Sequence, residues 1–418
     1  MSCYNSGLSE LAPETTVLCP RPIGRLWRRV FGSFPTGTIE LPFPFSESKM
    51  NSLRKIEELG QSVWLDYIRR DLIGSGKLRQ LIEEDGLSGV TSNPTIFEKA
   101  ISQGDEYDTA IRRILGQTPD IETPTLLERI EAEDLRMAAD TLLPIYERTG
   151  GADGFVSIEV SPHLAYDTNA SISEARRLWS QLNRPNLMVK IPATTEGLAA
   201  IEQLLSEGIN VNVTLVFSVS QYANVVEAYL RGTERCSEPG RVASVASFFV
   251  SRVDTAVDRA LEEVGTEPAF ALRGKAAIAN AKLAYRRFRQ VFFGPQFEKW
   301  KSRGVRVQRP LWASTSTKNK AYSDVMYVEG LIGPDTINSM PPETVAAFRD
   351  HGRPQLALHH DDREVADIFG ELIRMKINVR AIGQELTEAG VDKFVASYDE
   401  LLRTVEKKRV LLAETSAA

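Results

Sequence analysis

The chain has 418 residues, of which 42% are hydrophobic and 25% are charged, as is typical of soluble globular proteins. Its 56 acidic residues exceed its 50 basic ones, and the resulting net charge of -6 argues against a surface built for nucleic acid. The three cysteines are scattered and match neither a disulfide framework nor a zinc-binding spacing. No apolar stretch reaches the roughly 18 residues of a membrane span. We therefore expect a cytoplasmic protein without a membrane anchor or a nucleic-acid partner.

The first 49 residues differ in composition from the rest of the chain. Six of the 21 prolines lie there, and no helical or alternating apolar pattern persists. After Met50, by contrast, Leu53, Ile56 and Leu59 recur at helical spacing. We predict an N-terminal extension over residues 1–49, disordered or produced by an upstream start assignment, and a single catalytic domain over residues 50–418.

Beyond residue 50, short apolar runs alternate with longer segments of helical periodicity. The runs predicted as strands are 62–66, 89–93, 155–160, 187–192, 211–217, 245–250, 310–314 and 336–340. Strands alternating with helices indicate a parallel sheet, and continuous apolar strands indicate burial of both faces. Eight repeats favour an α/β fold of the closed (β/α)8 TIM-type barrel over the alternative, an open doubly wound sheet.

Two spacers, 98–152 and 255–309, are too long for single crossovers and are predicted to be helical insertions. After the eighth strand, residues 364–389 and 392–412 have the periodicity of two amphipathic helices. Gly390 between them is a plausible C-cap. We expect these C-terminal helices to close one side of the barrel.

Polar side chains interrupt the apolar strands, where burial without a partner is costly. These residues are Asp66, Asn93, Glu159, Lys190, Asn212, Thr214, Ser247 and Ser314. The carboxyl ends of the strands form the active-site face of a (β/α)8 barrel. We therefore expect the polar residues of several strands to converge on one pocket.

Lys190 is the most informative of them, because it lies within the apolar string MVKIP. Burial favours the neutral amine, which attacks a ketone to form a Schiff base as in class I aldolases. Such a reaction also needs a proton acceptor and a group that activates water, and Asp66 and Glu159 are candidates for both. Two alternatives stay open: Lys190 extends to solvent from an ordinary strand end, or the carboxylates only form an interior salt bridge with it.

Two other patterns do not indicate sites. The string GSGK at 74–77 lacks both the first glycine of a phosphate loop and the Ser or Thr that follows the lysine. His359, His360, Asp361 and Asp362 are adjacent, and adjacent residues on a helix diverge too far to close one coordination sphere. The sequence therefore predicts no metal site and no cofactor.

Four strings resemble those of transaldolases, specifically of a longer bacterial branch. They are GVTSNPTIF at 89–97, MVKIPAT at 188–194, GINVNVTLVFS at 208–218 and LWASTSTKN at 311–319. The resemblance implies a transferase of the non-oxidative pentose phosphate pathway that needs no cofactor. It would take a dihydroxyacetone unit from sedoheptulose 7-phosphate or fructose 6-phosphate and pass it to glyceraldehyde 3-phosphate or erythrose 4-phosphate.

The resemblance also implies catalytic roles for four residues. Lys190 matches the Schiff-base lysine of the family, and Asp66 matches its acid/base aspartate. Glu159 matches the glutamate that activates water, and Thr214 matches the threonine that helps to hold that water.

The resemblance also implies substrate-binding positions. Asn93 and Asn212 match the asparagines that bind the substrate hydroxyls and the intermediate, Ser247 matches the serine of the sixth strand, and Arg252 matches the phosphate-binding arginine. Phe249, Ser314, which is the serine of the seventh strand, and Lys318 are further substrate-binding candidates. One match departs from the pattern, because Ser316 stands where shorter relatives carry a second phosphate-binding arginine. Lys318 is the nearest cation to that position.

The resemblance separates transfer from simple cleavage at two positions. Relatives that release free dihydroxyacetone have glutamine at the position of Glu159 and tyrosine at that of Phe249, so this chain has the pair implied for transferases. Two competing hypotheses remain: a lyase of the same fold, and a barrel that only binds sugar phosphates.

Overall fold

The computed structural model describes residues 51–358 and 362–417. The predicted boundary between the N-terminal extension and the catalytic domain, at residues 49 and 50, lies outside these ranges. So do His359, His360 and Asp361, for which the sequence predicts no metal site.

Eight parallel strands form a closed barrel in chain order, because the last strand pairs with the first. The strands are β1 Gln61–Asp66, β2 Leu87–Thr91, β3 Phe155–Glu159, β4 Leu187–Pro192, β5 Val211–Val216, β6 Ser244–Phe249, β7 Arg309–Ala313 and β8 Thr336–Met340. The predicted (β/α)8 barrel is confirmed, and each strand lies within two residues of its predicted bounds.

Helices surround the barrel. They are α1 Ser52–Glu58, α2 Arg70–Gly74, α3 Lys77–Asp85, α4 Pro94–Ser102, α5 Asp108–Gln117, α6 Thr123–Arg148, α7 Thr168–Leu182, α8 Thr195–Ser206, α9 Val219–Arg235, α10 Ser251–Val264, α11 Glu267–Phe270, α12 Ala276–Phe292, α13 Glu298–Lys301, α14 Met326–Glu329, α15 Pro342–His351, α16 Asp362–Arg374 and α17 Val379–Ala417. Three short 3₁₀ helices are Pro162–Leu164, Pro239–Arg241 and Pro295–Phe297. Both long spacers are largely helical, as predicted.

Within the described ranges, no helix is long and apolar enough to cross a membrane.

The prediction for the C-terminal helices is wrong in one respect. Gly390 does not end a helix but lies inside α17, which continues for 39 residues. The break comes earlier, where Lys376 has a left-handed φ of 61° and the Asn378 side chain accepts hydrogen bonds from the amides of Arg380 and Ala381. Asn378 is therefore the N-cap signal that the sequence contained, and the glycine serves a packing contact instead.

Large apolar side chains fill the lower part of the barrel interior. They form a separate cluster of Trp64, Phe155, Met188, Val245, Leu311 and Ile337. A Cβ on Gly89 would lie 2.4 Å from the Trp64 ring, so glycine makes room for that indole. Because side chains on one face of a strand recur every second residue, the position two after an interior apolar residue also faces inward. Trp64 is followed in this way by Asp66, and Met188 by Lys190.

Candidate active site

Lys190 lies at the centre of the barrel opening. Its side chain is on β4 and the residue is only 5% exposed, so the amino group does not extend to bulk solvent. Nζ donates a hydrogen bond of 2.9 Å to the carbonyl oxygen of Ser92, in the segment that follows β2. This bond holds the amino group in one place inside the barrel, a position that suits a nucleophile.

Two carboxyl groups lie near this amine. Glu159 is beside Lys190 in the strand register, with Oε1 3.6 Å from Nζ, and Asp66 accepts a 2.8 Å hydrogen bond from the Thr91 hydroxyl. Burial raises the pKa of both Asp66 and Glu159, and the positive charge of Lys190 opposes that rise. The interior ion pair that the sequence left open is thus present between Glu159 and Lys190. Within the described ranges, Asp66 forms no ion pair with Lys190.

Glu159 and Thr214 have unsatisfied polar atoms. Both carboxylate oxygens of Glu159 and the Oγ1 of Thr214 are buried, and none has a hydrogen-bond partner among the described residues. Leaving such atoms unpaired costs free energy in a packed interior. The two residues flank β4 on its two neighbouring strands, so both belong to the surroundings of Lys190.

The predicted asparagines occupy different depths. Asn93 lines the cavity above Lys190 and caps α4, because its Oδ1 accepts a 3.1 Å hydrogen bond from the amide of Ile96. Asn212 is fully buried below, where its Oδ1 accepts a 2.7 Å bond from Ser247 and its Nδ2 donates a 3.1 Å bond to Ser157. Ser247 thus connects Asn212 to the cavity wall.

A cavity of about 360 Å³ brings most of the predicted residues together. Its lining includes Asp66, Asn93, Lys190, Thr214, Ser247, Phe249, Arg252, Ser314 and Lys318. Asn212 lies beneath it, and Glu159 lines a second cavity of about 500 Å³ between β3, α6, α7 and α17. Carboxylates line that second cavity, where burial and the charge of Glu128 raise the pKa of Glu131 to about 8.

The phosphate candidates lie on one side of the cavity. The Arg252 guanidinium is 5.5 Å from the centre of the Phe249 ring, and burial lowers its pKa. Ser314 shares a 2.9 Å hydrogen bond with Ser251, and Lys318 donates a 2.6 Å hydrogen bond to Ser316. Cations and hydroxyls are therefore grouped, as an anionic substrate requires.

Sequence reasoning missed several residues of the cavity. Thr91 lies within a string that resembles transaldolases, but only the structure reveals its hydrogen bond to Asp66. Lys99, on α4, and Lys393 and Phe394, on α17, also line the cavity. Helical periodicity is the only signal that these three carry in the sequence, and it does not indicate which face meets the barrel.

Within residues 51–358 and 362–417, no group of three or more His, Cys, Asp or Glu side chains is arranged to hold a metal ion.

A closed parallel barrel with a buried amine and two buried carboxyl groups at its carboxyl end is the architecture of lysine-dependent barrel enzymes. A family model described as transaldolase/fructose-6-phosphate aldolase matches residues 63–405. The chain is 47% identical to a transaldolase of Thiobacillus denitrificans, over 85% of this chain and 100% of the relative. It is 46% identical to a transaldolase of Thermobifida fusca, over 85% and 98%, and 43% identical to one of Mycobacterium ulcerans, over 88% and 100%. The chain therefore belongs to the transaldolase family.

Proposed function

We propose that this chain is a transaldolase, a transferase that moves a dihydroxyacetone unit between sugar phosphates in the non-oxidative pentose phosphate pathway. The observation that carries the proposal is the buried amino group of Lys190, which lies 3.6 Å from Oε1 of Glu159 and lines one cavity together with Asp66. The donors are sedoheptulose 7-phosphate or fructose 6-phosphate, and the acceptors are glyceraldehyde 3-phosphate or erythrose 4-phosphate. A cavity of about 360 Å³ lies within the range typical of small-molecule sites.

The reaction begins when the neutral amine of Lys190 attacks the ketone carbon of the donor. Glu159 passes the proton that it has taken from the Lys190 ammonium to the departing hydroxyl, water leaves with Thr214 holding it, and a protonated imine forms. Their buried oxygens, which have no hydrogen-bond partner among the described residues, support these roles. Asp66 then takes the proton of the C4 hydroxyl, and the C3–C4 bond breaks to give the aldehyde of the aldose phosphate. The electron pair of that bond passes into the protonated imine, which becomes a neutral enamine on Lys190.

The second half of the reaction reverses these steps with another aldehyde. The aldose phosphate leaves, the acceptor enters, and the enamine carbon attacks its carbonyl while Asp66 returns the proton to the new hydroxyl. Water, activated by Glu159, then releases the product ketose from Lys190. Because burial raises the pKa of Asp66, its neutral form is more accessible than in an ordinary aspartate, which suits a group that both takes and returns a proton.

Substrate binding is assigned to the remaining residues. Asn93, Asn212 and Ser247 hold the hydroxyl groups of the substrate and intermediate, and the grouping of amide and hydroxyl side chains around the cavity supports this assignment. Arg252 is the principal phosphate ligand, with Ser314 and Lys318 as weaker ones. The ligands are thus small sugar phosphates. We expect neither a nucleic-acid partner nor an association with a membrane, and we expect a cytoplasmic location.

Arg252→Ala is expected to raise KM for phosphorylated donors by roughly tenfold or more, the usual loss when a charged hydrogen-bonding partner is removed. A planar guanidinium matches phosphate with two hydrogen bonds, whereas Lys318 offers a flexible ammonium, so Lys318→Ala is expected to have a smaller effect. Steady-state kinetics with fructose 6-phosphate measure both. A larger defect for Lys318→Ala would reverse this ranking.

Transfer is distinguished from cleavage by the fate of the three-carbon intermediate. Phe249 is 8% exposed and packs against Phe217 with ring centres 5.1 Å apart, so an apolar surface faces this side of the cavity. Such a surface disfavours attack of water on the intermediate and leaves the aldose phosphate as the faster acceptor. The proposal therefore favours a transferase over a lyase of the same fold.

We expect rapid exchange between fructose 6-phosphate and erythrose 4-phosphate, and little free dihydroxyacetone when no acceptor is present. Phe249→Tyr adds a proton donor and is expected to increase dihydroxyacetone release by about tenfold, less than the roughly 10² of an optimally placed acid. Assays of both products, side by side, measure the ratio. Release as fast as transfer in the unaltered protein would identify a lyase, and the absence of both products would identify a barrel that only binds sugar phosphates.

A further inference from the structure

Four cations from four different segments line the mouth of the active-site cavity. They are Lys99 on α4, Arg252 on α10, Lys318 after β7 and Lys393 on α17. Across residues 51–358 and 362–417, no carboxylate lies within 4 Å of any of them. Besides Asp66, the only acidic residue of the described chain that lines this cavity is Glu343. Cations therefore outnumber carboxylates in the lining of this cavity, and none of the four is held in an ion pair within these ranges.

These cations act on one another. The charge of Arg252 is the largest cause that lowers the pKa of Lys393, followed by burial and by the charges of Lys318 and Lys99. Burial lowers the pKa of Lys318, and the charges of Arg252 and Lys99 lower it further, against the opposing charges of Glu343 and Asp66. Repulsion of this kind is unfavourable without a counter-charge, and an anion placed among the four groups would relieve it.

The docking of α17 brings Lys393 to this position. A Cβ on Gly390 would lie 2.9 Å from the side chain of Leu215 and 3.6 Å from Nη1 of Arg252, so the glycine permits the helix to lie directly against both. One helical turn earlier, the Thr387 hydroxyl lies 3.2 Å from the carbonyl oxygen of Leu215. One turn of backbone is thus held against the end of β5.

The same contact orients the next residues of α17. Phe394 is buried at 6% exposure and lines the cavity, while Lys393 beside it also lines the cavity and is exposed. The Lys393 side chain therefore lies at the open side of the cavity. The glycine that looked like a helix end in the sequence is what permits this approach.

We propose that Lys393 of α17, assisted by Lys99 of α4, completes the phosphate-binding site of Arg252 and Lys318, so that the C-terminal helix takes part directly in recognising phosphorylated substrates. This inference rests on the proposed function for the identity of the substrate, but not for the binding of phosphate itself. Lys393 and Lys99 would also supply positive charge in a cavity where Ser316 stands in place of the second arginine of shorter relatives.

The test compares Lys393→Gln with Lys393→Arg, and with Lys407→Gln as the control on an exposed part of the same helix. Lys393→Gln is expected to raise KM for fructose 6-phosphate and the Kd of inorganic phosphate by about fivefold each, as for a partly exposed ion pair. The rise in KM should exceed any fall in kcat. Lys393→Arg should retain most of the binding, Lys407→Gln should match the unaltered protein, and Lys99→Gln should have a smaller effect than Lys393→Gln, because Lys99 acts most weakly on both neighbouring lysines.

Unphosphorylated fructose separates a binding role from a structural one. If Lys393 contacts phosphate, kcat/KM for fructose is unaffected by Lys393→Gln; an equal loss with both donors would assign it to the fold and overturn the inference. Unchanged KM and Kd in Lys393→Gln would overturn it as well. Weaker phosphate binding in a protein that transfers no dihydroxyacetone would support the cation cluster while refuting the proposed function, so the two failures are distinguishable.

Discussion

Lys190→Ala is expected to abolish transfer, with a loss on the order of 10⁴ or more, because removal of a covalent nucleophile eliminates the whole reaction path rather than one contact. Borohydride reduction of the unaltered protein in the presence of fructose 6-phosphate should attach a dihydroxyacetone mass to the peptide that contains Lys190. Mass spectrometry of the digest locates the label. The buried position of the amine and its hydrogen bond to Ser92 are the reasons for this choice among the lysines of the described barrel.

The matched control is Lys318→Ala, which removes a lysine from the same cavity without removing the nucleophile. It should still accept the label at Lys190. A label on Lys318 or on any other lysine, or a fully active Lys190→Ala, would contradict the assignment.

Asp66→Ala is expected to reduce C–C cleavage by a factor on the order of 10² or more, as for a positioned acid/base, while sugar phosphate still binds. Without a group to take the C4 proton, the reaction stops at the imine of the complete donor. Borohydride should then trap a six-carbon phosphate adduct on Lys190 instead of the three-carbon unit. Asp66→Asn serves as the control of similar size, and turnover near that of the unaltered protein in either variant would assign the base to another residue.

The pH dependence tests the same carboxyl group. Burial raises the pKa of Asp66 above its ordinary value of 3.8. The base must be ionised to act, so the acid limb of the pH profile, where kcat/KM falls as the pH decreases, should lie above pH 3.8. The hydrogen bond from Thr91 stabilises the charged form and lowers the pKa. Thr91→Val removes it and should move the acid limb to higher pH, as a pH profile of kcat/KM would record. A limb that stays in place or moves to lower pH would mean that another group controls it.

The strands and the inward-facing polar residues were predictable from sequence because both depend on local patterns. A strand buried on both faces must be continuously apolar, so Lys190 within MVKIP and Glu159 at the end of FVSIE are conspicuous against that background. Alternation of side chains then places Asp66, Lys190 and Ser247 on the same face as Trp64, Met188 and Val245, the apolar residues two positions earlier. Nine of the eleven predicted site residues line one cavity, and five of the nine, Asp66, Lys190, Thr214, Ser247 and Phe249, lie on strands; the individual roles of all eleven remain predictions.

The helices at the carboxyl end were less predictable. Glycine is common at helix ends, which is why the sequence predicts one at Gly390. The helix α17 nevertheless continues through Gly390, where the glycine packs against Leu215 and Arg252, residues far away in the chain. The sequence does not distinguish a glycine that ends a helix from one that permits close packing, because only the residues packed against the glycine differ. The true break depends on Lys376 and Asn378, whose capping pattern is weaker in the sequence than a glycine.

The sequence by itself therefore determined the barrel, the order of its strands and the candidate nucleophile with its carboxylates, because burial and alternation act over a few neighbouring residues. Only the tertiary structure decided that the carbonyl of Ser92 holds the Lys190 amine and that Lys99 and Lys393 join Arg252 at the mouth. These contacts join segments separated by many residues, and a surface lysine on an amphipathic helix looks the same whether it faces bulk solvent or a substrate. Which face of a helix meets the barrel depends on how the helix packs, and that packing is a property of the folded chain as a whole.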